Sequence, residues 1–189
     1  MVIAAQKLMT LEEYLNYDDG TETRYCLENG KLVEMPPECQ LNVRIASFLF
    51  AFFLGLEIPS YRVQIGTEIV VMGSRTTTRY PDLMVLSEEL ATALVGASRS
   101  TVMLDMPPPL LVVEVVSPGQ ETRDYRHKRS EYAARGIAEY WIVDPIQQKV
   151  TVLEWVEGFY EEKVYEGETA ISSPLYGVLT LTAAQVLQG

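Results

Sequence analysis

Apolar and polar positions alternate along the chain with two distinct periods, and the switches between them mark the elements. Thr10 to Glu13 reads as a capping box, with the Thr10 hydroxyl taking a first-turn amide and Glu13 reaching back, so a short helix should follow to about Tyr17. Arg24 to Glu28 and Lys31 to Met35 are strand-like and flank Asn29-Gly30, a pair that tolerates the positive φ of a tight hairpin. After Pro36-Pro37, Glu38 to Leu56 places Ile45, Leu49, Phe52 and Phe53 at helical spacing and predicts a largely buried helix. Tyr61 to Ile65 and Thr67 to Met72 read as strands broken at Gly66, and Arg79 to Leu86 as a third run carrying Pro81-Asp82.

Ser87 to Met106 has no clear period, although its first part is compatible with a helix. Pro107-Pro108-Pro109 must be extended and leads into LLVVEVV, Leu110 to Val116, an apolar run suited to a central strand buried on both faces. Ser117-Pro118-Gly119 ends it, a helix is predicted from about Thr122 to Arg135 with Gly136 as its C-cap, and Glu139 to Val143 is the next strand. Strand, helix, strand at this spacing is a crossover unit of a parallel or mixed sheet. KVTVLEWV and FYEEKVYE about Glu157-Gly158 form a last hairpin, followed by a short mixed tail. The order of elements predicts an α/β fold over 1–189 as one domain, a mixed sheet flanked by helices with hairpins added toward both ends.

Composition narrows the chemistry. Hydrophobic residues make up 48% of the 189 positions, enough for a sizeable core, and the formal charge of −11 repels phosphate polyanions at long range. Two cysteines without CxxC spacing and one histidine, His127, point away from disulfides and zinc and toward the cytoplasm. The N-terminal stretch carries no export pattern, and the most apolar runs, Ile45 to Leu56 and Leu110 to Val116, are too short to cross a membrane.

Glu114 is the sharpest anomaly, a carboxylate amid apolar strand residues. It must be paired, protonated or metal-bound if buried, or else it faces water from an edge strand. Asp82, after Pro81, can project from a strand bend or be an ordinary turn residue. Lys128 shares a helix face with Asp124 and Tyr132, at i−4 and i+4, and an ordinary solvated pair is the plain alternative. Arg123, Arg126, Arg129 and Arg135 make this helix locally basic on an acidic chain. Serine-hydrolase elbows, phosphate-binding glycine loops, dinucleotide fingerprints and HExxH are absent.

Pro81-Asp82, Glu114 on an apolar strand and a lysine on the following helix together resemble the PD-(D/E)XK nuclease superfamily. RYPDLMVLSEEL and PPPLLVVEVVSPGQETRDYRHKRSEYAARGIAEYWIVDP, with TLEEYL and ENGKLVEMPP before them, are similar to the Uma-two family of restriction-endonuclease-like proteins common in cyanobacteria. The resemblance implies a restriction-endonuclease-like α/β core and hydrolysis of DNA phosphodiester bonds by metal-activated water. It implies that Asp82 and Glu114 hold Mg²⁺ or Mn²⁺ and that Lys128 acts beside them. The superfamily's usual lysine position falls at Val116, which cannot serve, and Lys128 on the helix takes its place.

Asp124, Tyr132, Glu38 and Asn42 are supporting candidates, with Glu34 a second choice for a third acid. Cys26 and Asn42 stand where relatives often carry Glu and His, which keeps open a catalytically weakened or inactive binding module. Hydrolysis of a small phosphate ester is a third alternative. DNA is the expected partner and a homodimer the expected assembly, since two-fold symmetry lets one site per chain cut both strands.

Overall fold

A computed structural model describes residues 8–189; the expectation about an export signal falls partly on residues 1–7 and lies outside them. Helix α1 (Leu11–Leu15) begins with the Thr10/Glu13 capping box, both reciprocal bonds present, and ends two residues earlier than the sequence suggested. Strands β1 (Tyr25–Glu28) and β2 (Lys31–Glu34) form the expected hairpin, with Asn29 and Gly30 at φ 51° and 80°. Helix α2 (Gln40–Gly55) is buried along one stripe through Asn42, Ile45, Leu49 and Phe53, whereas Leu41 and Val43 are exposed. It is therefore a one-sided surface helix rather than the largely buried one expected.

Ser60–Arg62 is a 3-10 turn where a strand was expected, leaving only β3 (Val63–Gln64) before β4 (Glu68–Met72). The expected run from Arg79 to Leu86 is instead two strands in different sheets. β5 (Thr76–Arg79) pairs with β4, while β6 (Leu83–Val85) pairs with β3 and with β8 (Leu111–Val115). Tyr80-Pro81-Asp82 is the joint between them. Between β6 and β8 lie α3 (Glu88–Ala93), capped by the Ser87 hydroxyl, and β7 (Thr101–Val102), parallel to β4.

The helix after β8 starts as a π-helix, Arg123–Lys128, and continues as α4 (Arg129–Arg135), closed by Gly136 at φ 75°. Strand β9 (Glu139–Asp144) then lies parallel to β8, as the crossover required. β10 (Lys149–Val156) and β11 (Phe159–Glu166) extend the same sheet. The tail is more regular than expected: β12 (Ala170–Ser173) and β13 (Gly177–Thr182) form a hairpin, and α5 (Ala183–Gln188) has its own capping box.

The main sheet runs β11-β10-β9-β8-β6-β3, so Glu114 sits on an interior strand and the edge-strand alternative is excluded. Alternation along β8 divides the core. Leu111, Val113 and Val115 join Ile45, Phe53 and the C-terminal residues on one face, while Val112 and Val116 join Tyr132, Tyr140 and the β4 side chains on the other. On the second face, buried Arg79 donates Nε and Nη2 to both oxygens of Glu131 on α4 (2.8 and 2.9 Å) and Nη1 to Glu28 on β1 (2.7 Å). This fork locks the small three-stranded sheet and the first hairpin to the helix that carries Lys128.

Removing only one side of such a buried pair strands the other charge. Arg79→Ala should lower unfolding stability by about 3–5 kcal/mol, whereas the paired apolar change Arg79→Met with Glu131→Leu should recover most of it. Urea unfolding of both variants checks this, and equal losses would refute the clamp.

Candidate active site

β6 and β8 pair antiparallel up to Leu83 opposite Val113. One residue further the register brings Asp82 opposite Glu114, both on the sheet face shared by Val112, Val116 and Met84. Pro81 bends the chain there and ends the ladder, which leaves the Val115 N–H without a strand partner. Asp82 Oδ2 accepts it at 2.6 Å. The first acid is thus held by the main chain next to the second.

Glu114 is 2% exposed and fully engaged. Its Oε2 lies 2.7 Å from Lys128 Nζ, and Oε1 accepts the Tyr132 hydroxyl at 2.5 Å. Lys128 Nζ is also 2.7 Å from Asp124 Oδ1. Lys128 is itself buried, so the solvated-pair alternative does not hold. Asp82, Glu114, Asp124 and Lys128 line one cavity of about 380 Å³, together with Glu28, Glu34, Glu38, Cys26 and Arg123.

The electrostatics follow from burial first. Burial, then the neighbouring Glu114 charge and finally that of Glu38, push the Asp82 carboxyl well above the usual range, against the Val115 N–H and Lys128. Burial also raises Glu114, with Lys128 opposing. For Lys128 burial acts downward, but Glu114 and Asp124 outweigh it and hold the ammonium above its ordinary value. The Tyr132 phenol is driven far up by burial and by Glu114, so it stays a donor.

Of the supporting residues, Asp124 and Tyr132 reach the centre through Lys128 and Glu114. Glu38, exposed before α2, lines the cavity and its charge is felt by Asp82, as the Asp82 shift shows. Asn42 does not line the cavity. Its Nδ2 donates to the Val115 carbonyl (3.2 Å) and to Ser117 Oγ (2.9 Å), tying α2 to the end of β8.

Two of the four arginines on the basic helix are committed elsewhere. Arg129 pairs with Glu162, and Arg135 donates to the Met103 and Met106 carbonyls (2.7 and 2.6 Å). Arg126 is exposed without a partner among the described residues, and Arg123 has a buried Nε that likewise has none. An α-helical wheel puts residue 123 on a different face from Lys128, so sequence periodicity missed it. The i→i+5 turn of the π-helix stacks the two over the cavity.

No group of three or more His, Cys, Asp or Glu side chains among the described residues is placed to hold a metal ion. Two carboxylates still fit Mg²⁺ or Mn²⁺, which prefer oxygen donors and commonly keep several waters beside one or two protein carboxylates. Asp82 and Glu114 are the two carboxylates that could supply such donors, since a carboxylate oxygen bonded once retains a further lone-pair direction.

A family model described as "Putative restriction endonuclease" (Uma2) matches residues 11–184. Among solved structures the chain resembles a protein described as a "putative nuclease belonging to DUF820" from Anabaena variabilis ATCC 29413. That likeness has a TM-score of 0.72 and 18% identity, covers 95% of this chain and 97% of the other, and shows the shared fold. The comparison with curated proteins gave no match.

An Asp whose carboxyl titrates higher in the folded chain than in the unfolded one adds stability below the ordinary carboxylate range and loses it as pH rises through the raised value. Asp82→Asn keeps the acceptor for Val115 and cannot ionise. It should therefore be about 0.5–2 kcal/mol more stable than the wild type at neutral pH. The difference should vanish on acidification below the ordinary carboxylate range, and pH-dependent thermal unfolding measures it. A variant less stable at neutral pH would contradict the origin given for the shift.

Proposed function

This chain belongs to the Uma2 family, and we propose that it is a divalent-metal-dependent endonuclease hydrolysing DNA phosphodiester bonds at the Asp82, Glu114 and Lys128 cavity. The observation that supports this most is the convergence of two carboxylates from adjoining interior strands, with a buried amine 2.7 Å from one of them. A bound Mg²⁺ or Mn²⁺ would neutralise phosphate charge and lower the pKa of a coordinated water. Asp82 and Glu114 supply the oxygen donors, Asp82 fixed by the Val115 N–H and Glu114 by the Tyr132 hydroxyl. Lys128, charged because two acids hold it so, stabilises negative charge growing on the phosphoryl oxygens. Asp124, 2.7 Å from Lys128 Nζ, would keep the ammonium aligned with a cation held at Glu114.

Two free cysteines accord with action in the cytoplasm. A homodimer would place two such sites on the two strands of a duplex.

One observation favours the second reading, a non-catalytic binding module of the same fold: Lys128 and Tyr132 already occupy both Glu114 oxygens. Calorimetric titration with Mn²⁺ separates the readings, since heat that disappears in Asp82→Ala belongs to the nuclease and no heat at millimolar metal to the module.

Nicking of supercoiled plasmid with Mg²⁺ or Mn²⁺ tests the proposal. Asp82→Ala and Glu114→Ala should fall to background, and Lys128→Met by about 10²- to 10³-fold, with folding verified by circular dichroism. Equal nicking by wild type and both alanine variants would end the proposal.

A further inference from the structure

The carboxylate cavity is one end of a longer depression. Next to it lies a cavity of about 540 Å³ that shares Asp82, Glu38 and Tyr80 with it, and beyond that a third of about 470 Å³. Tyr80 walls all three, and Arg24 walls the second and third.

The far cavity has a different character from the first. No Asp or Glu lines it, although the chain carries a charge of −11; four tyrosines and two arginines do. Tyr17, 40% exposed, meets Tyr25 edge to face with ring centroids 5.6 Å apart and an interplanar angle of 88°, so the two rings make a right-angled corner. Tyr14 and Arg99 form its floor. Arg99 stacks over the Tyr14 ring and donates to the Tyr14 and Tyr80 hydroxyls (2.7 and 3.2 Å), while its Nε, 3.1 Å from buried Glu68, balances that charge. Arg24 is exposed, and its guanidinium has no hydrogen-bond or ion-pair partner among the described residues.

A flat π surface beside an uncommitted guanidinium suits a nucleobase and its phosphate; the Asp19 carboxylate, outside the cavity lining, accepts the Tyr25 hydroxyl at 2.8 Å. We propose that this tyrosine corner binds an unpaired base of single-stranded DNA, with Arg24 on the adjoining phosphate and the strand running past Tyr80 toward Asp82. The direction of the strand rests on the nuclease reading; the pocket itself does not. Every base has a π face, so recognition at the corner is tolerant of sequence but not of pairing. A base stacked in a duplex cannot enter, and the substrate class becomes DNA with a single-stranded extension, flap or frayed end.

Fluorescence anisotropy with a short labelled oligothymidylate in EDTA tests the pocket without metal and thus apart from catalysis. Tyr17→Ala should weaken binding by about five- to hundredfold, and Tyr17→Phe, which keeps the ring, should bind like wild type. Arg24→Ala should weaken binding and flatten the salt dependence by about 0.7 in log–log slope. No binding by the wild type, equal affinity in Tyr17→Ala, or equal competition by a blunt duplex would overturn the inference. Plasmid nicking lost in Asp82→Ala while oligothymidylate ignores Tyr17 would leave the nuclease standing without this pocket. Tyrosine-dependent binding without cleavage, in Mg²⁺ or Mn²⁺, of either plasmid or a duplex carrying a single-stranded flap would leave the pocket and remove the nuclease.

Discussion

The Lys128 ammonium inside the sheet–helix interface is the constraint on which the arrangement turns. A carboxylate on an interior strand, buried on both faces of the sheet, costs several kcal/mol unless a charge or hydrogen bonds meet it. Glu114 has both: Lys128 on one oxygen and Tyr132 on the other. Lys128 in turn is tolerable in the interior only because Asp124 shares it. Two acids and one base leave the cluster negative, and Asp82 next to it is pushed toward its neutral form by burial and by that same Glu114. On the proposed reading an external cation would let Asp82 ionise beside Glu114.

The second requirement is that Asp82 arrive at Glu114 at all, since 31 residues lie between them in the chain. The passage from the three-stranded sheet to the main sheet provides it. Thr76–Arg79 belongs to one and Leu83–Val85 to the other, and the three residues between must turn between layers. Proline at position 81 cannot donate to a ladder, so the turn costs no hydrogen bond there. The acid immediately after it instead satisfies the N–H that the interrupted ladder leaves on Val115. Anchoring at the start of this turn comes from Arg79, whose fork to Glu131 makes the sheet carrying β5 rigid with the helix carrying Lys128. All three principal side chains are thereby referred to one rigid frame.

How much of this the sequence revealed depended on whether the signal was local. A lone Glu within LLVVEVV is visible because the strand pattern is broken at one residue, and the hairpins at Asn29-Gly30 and Glu157-Gly158 are visible because their turns need positive φ at both positions. Asp124, Lys128 and Tyr132 shared a face at i, i+4 spacing, and that survived the π-turn. Arg123 did not, because its place over the cavity depends on a turn width that apolar periodicity does not encode. The Arg79–Glu131 pair spans 52 residues and joins two polar positions with no pattern of their own. The tail hairpin was hidden for another reason: Gly177–Thr182 buries only Leu179 and Leu181, too few apolar positions to show a period.

Net charge was the least transferable of the sequence signals. Taken over the whole chain, −11 argues against a polyanionic ligand, yet charge acts within about a Debye length, roughly 10 Å at 0.1 M salt. At that range the groove has two regimes: a carboxylate-rich end whose negative charge a divalent cation would offset, and a tyrosine end with two guanidinium groups and no acid on its walls. The basic helix that looked like the nucleic-acid surface is half consumed by its own fold, Arg129 by Glu162 and Arg135 by two carbonyls. On the proposed reading, attraction for a phosphodiester comes from a cation at one end of the groove and from stacking beside Arg24 at the other, so binding would be local, short-ranged and dependent on an unpaired strand.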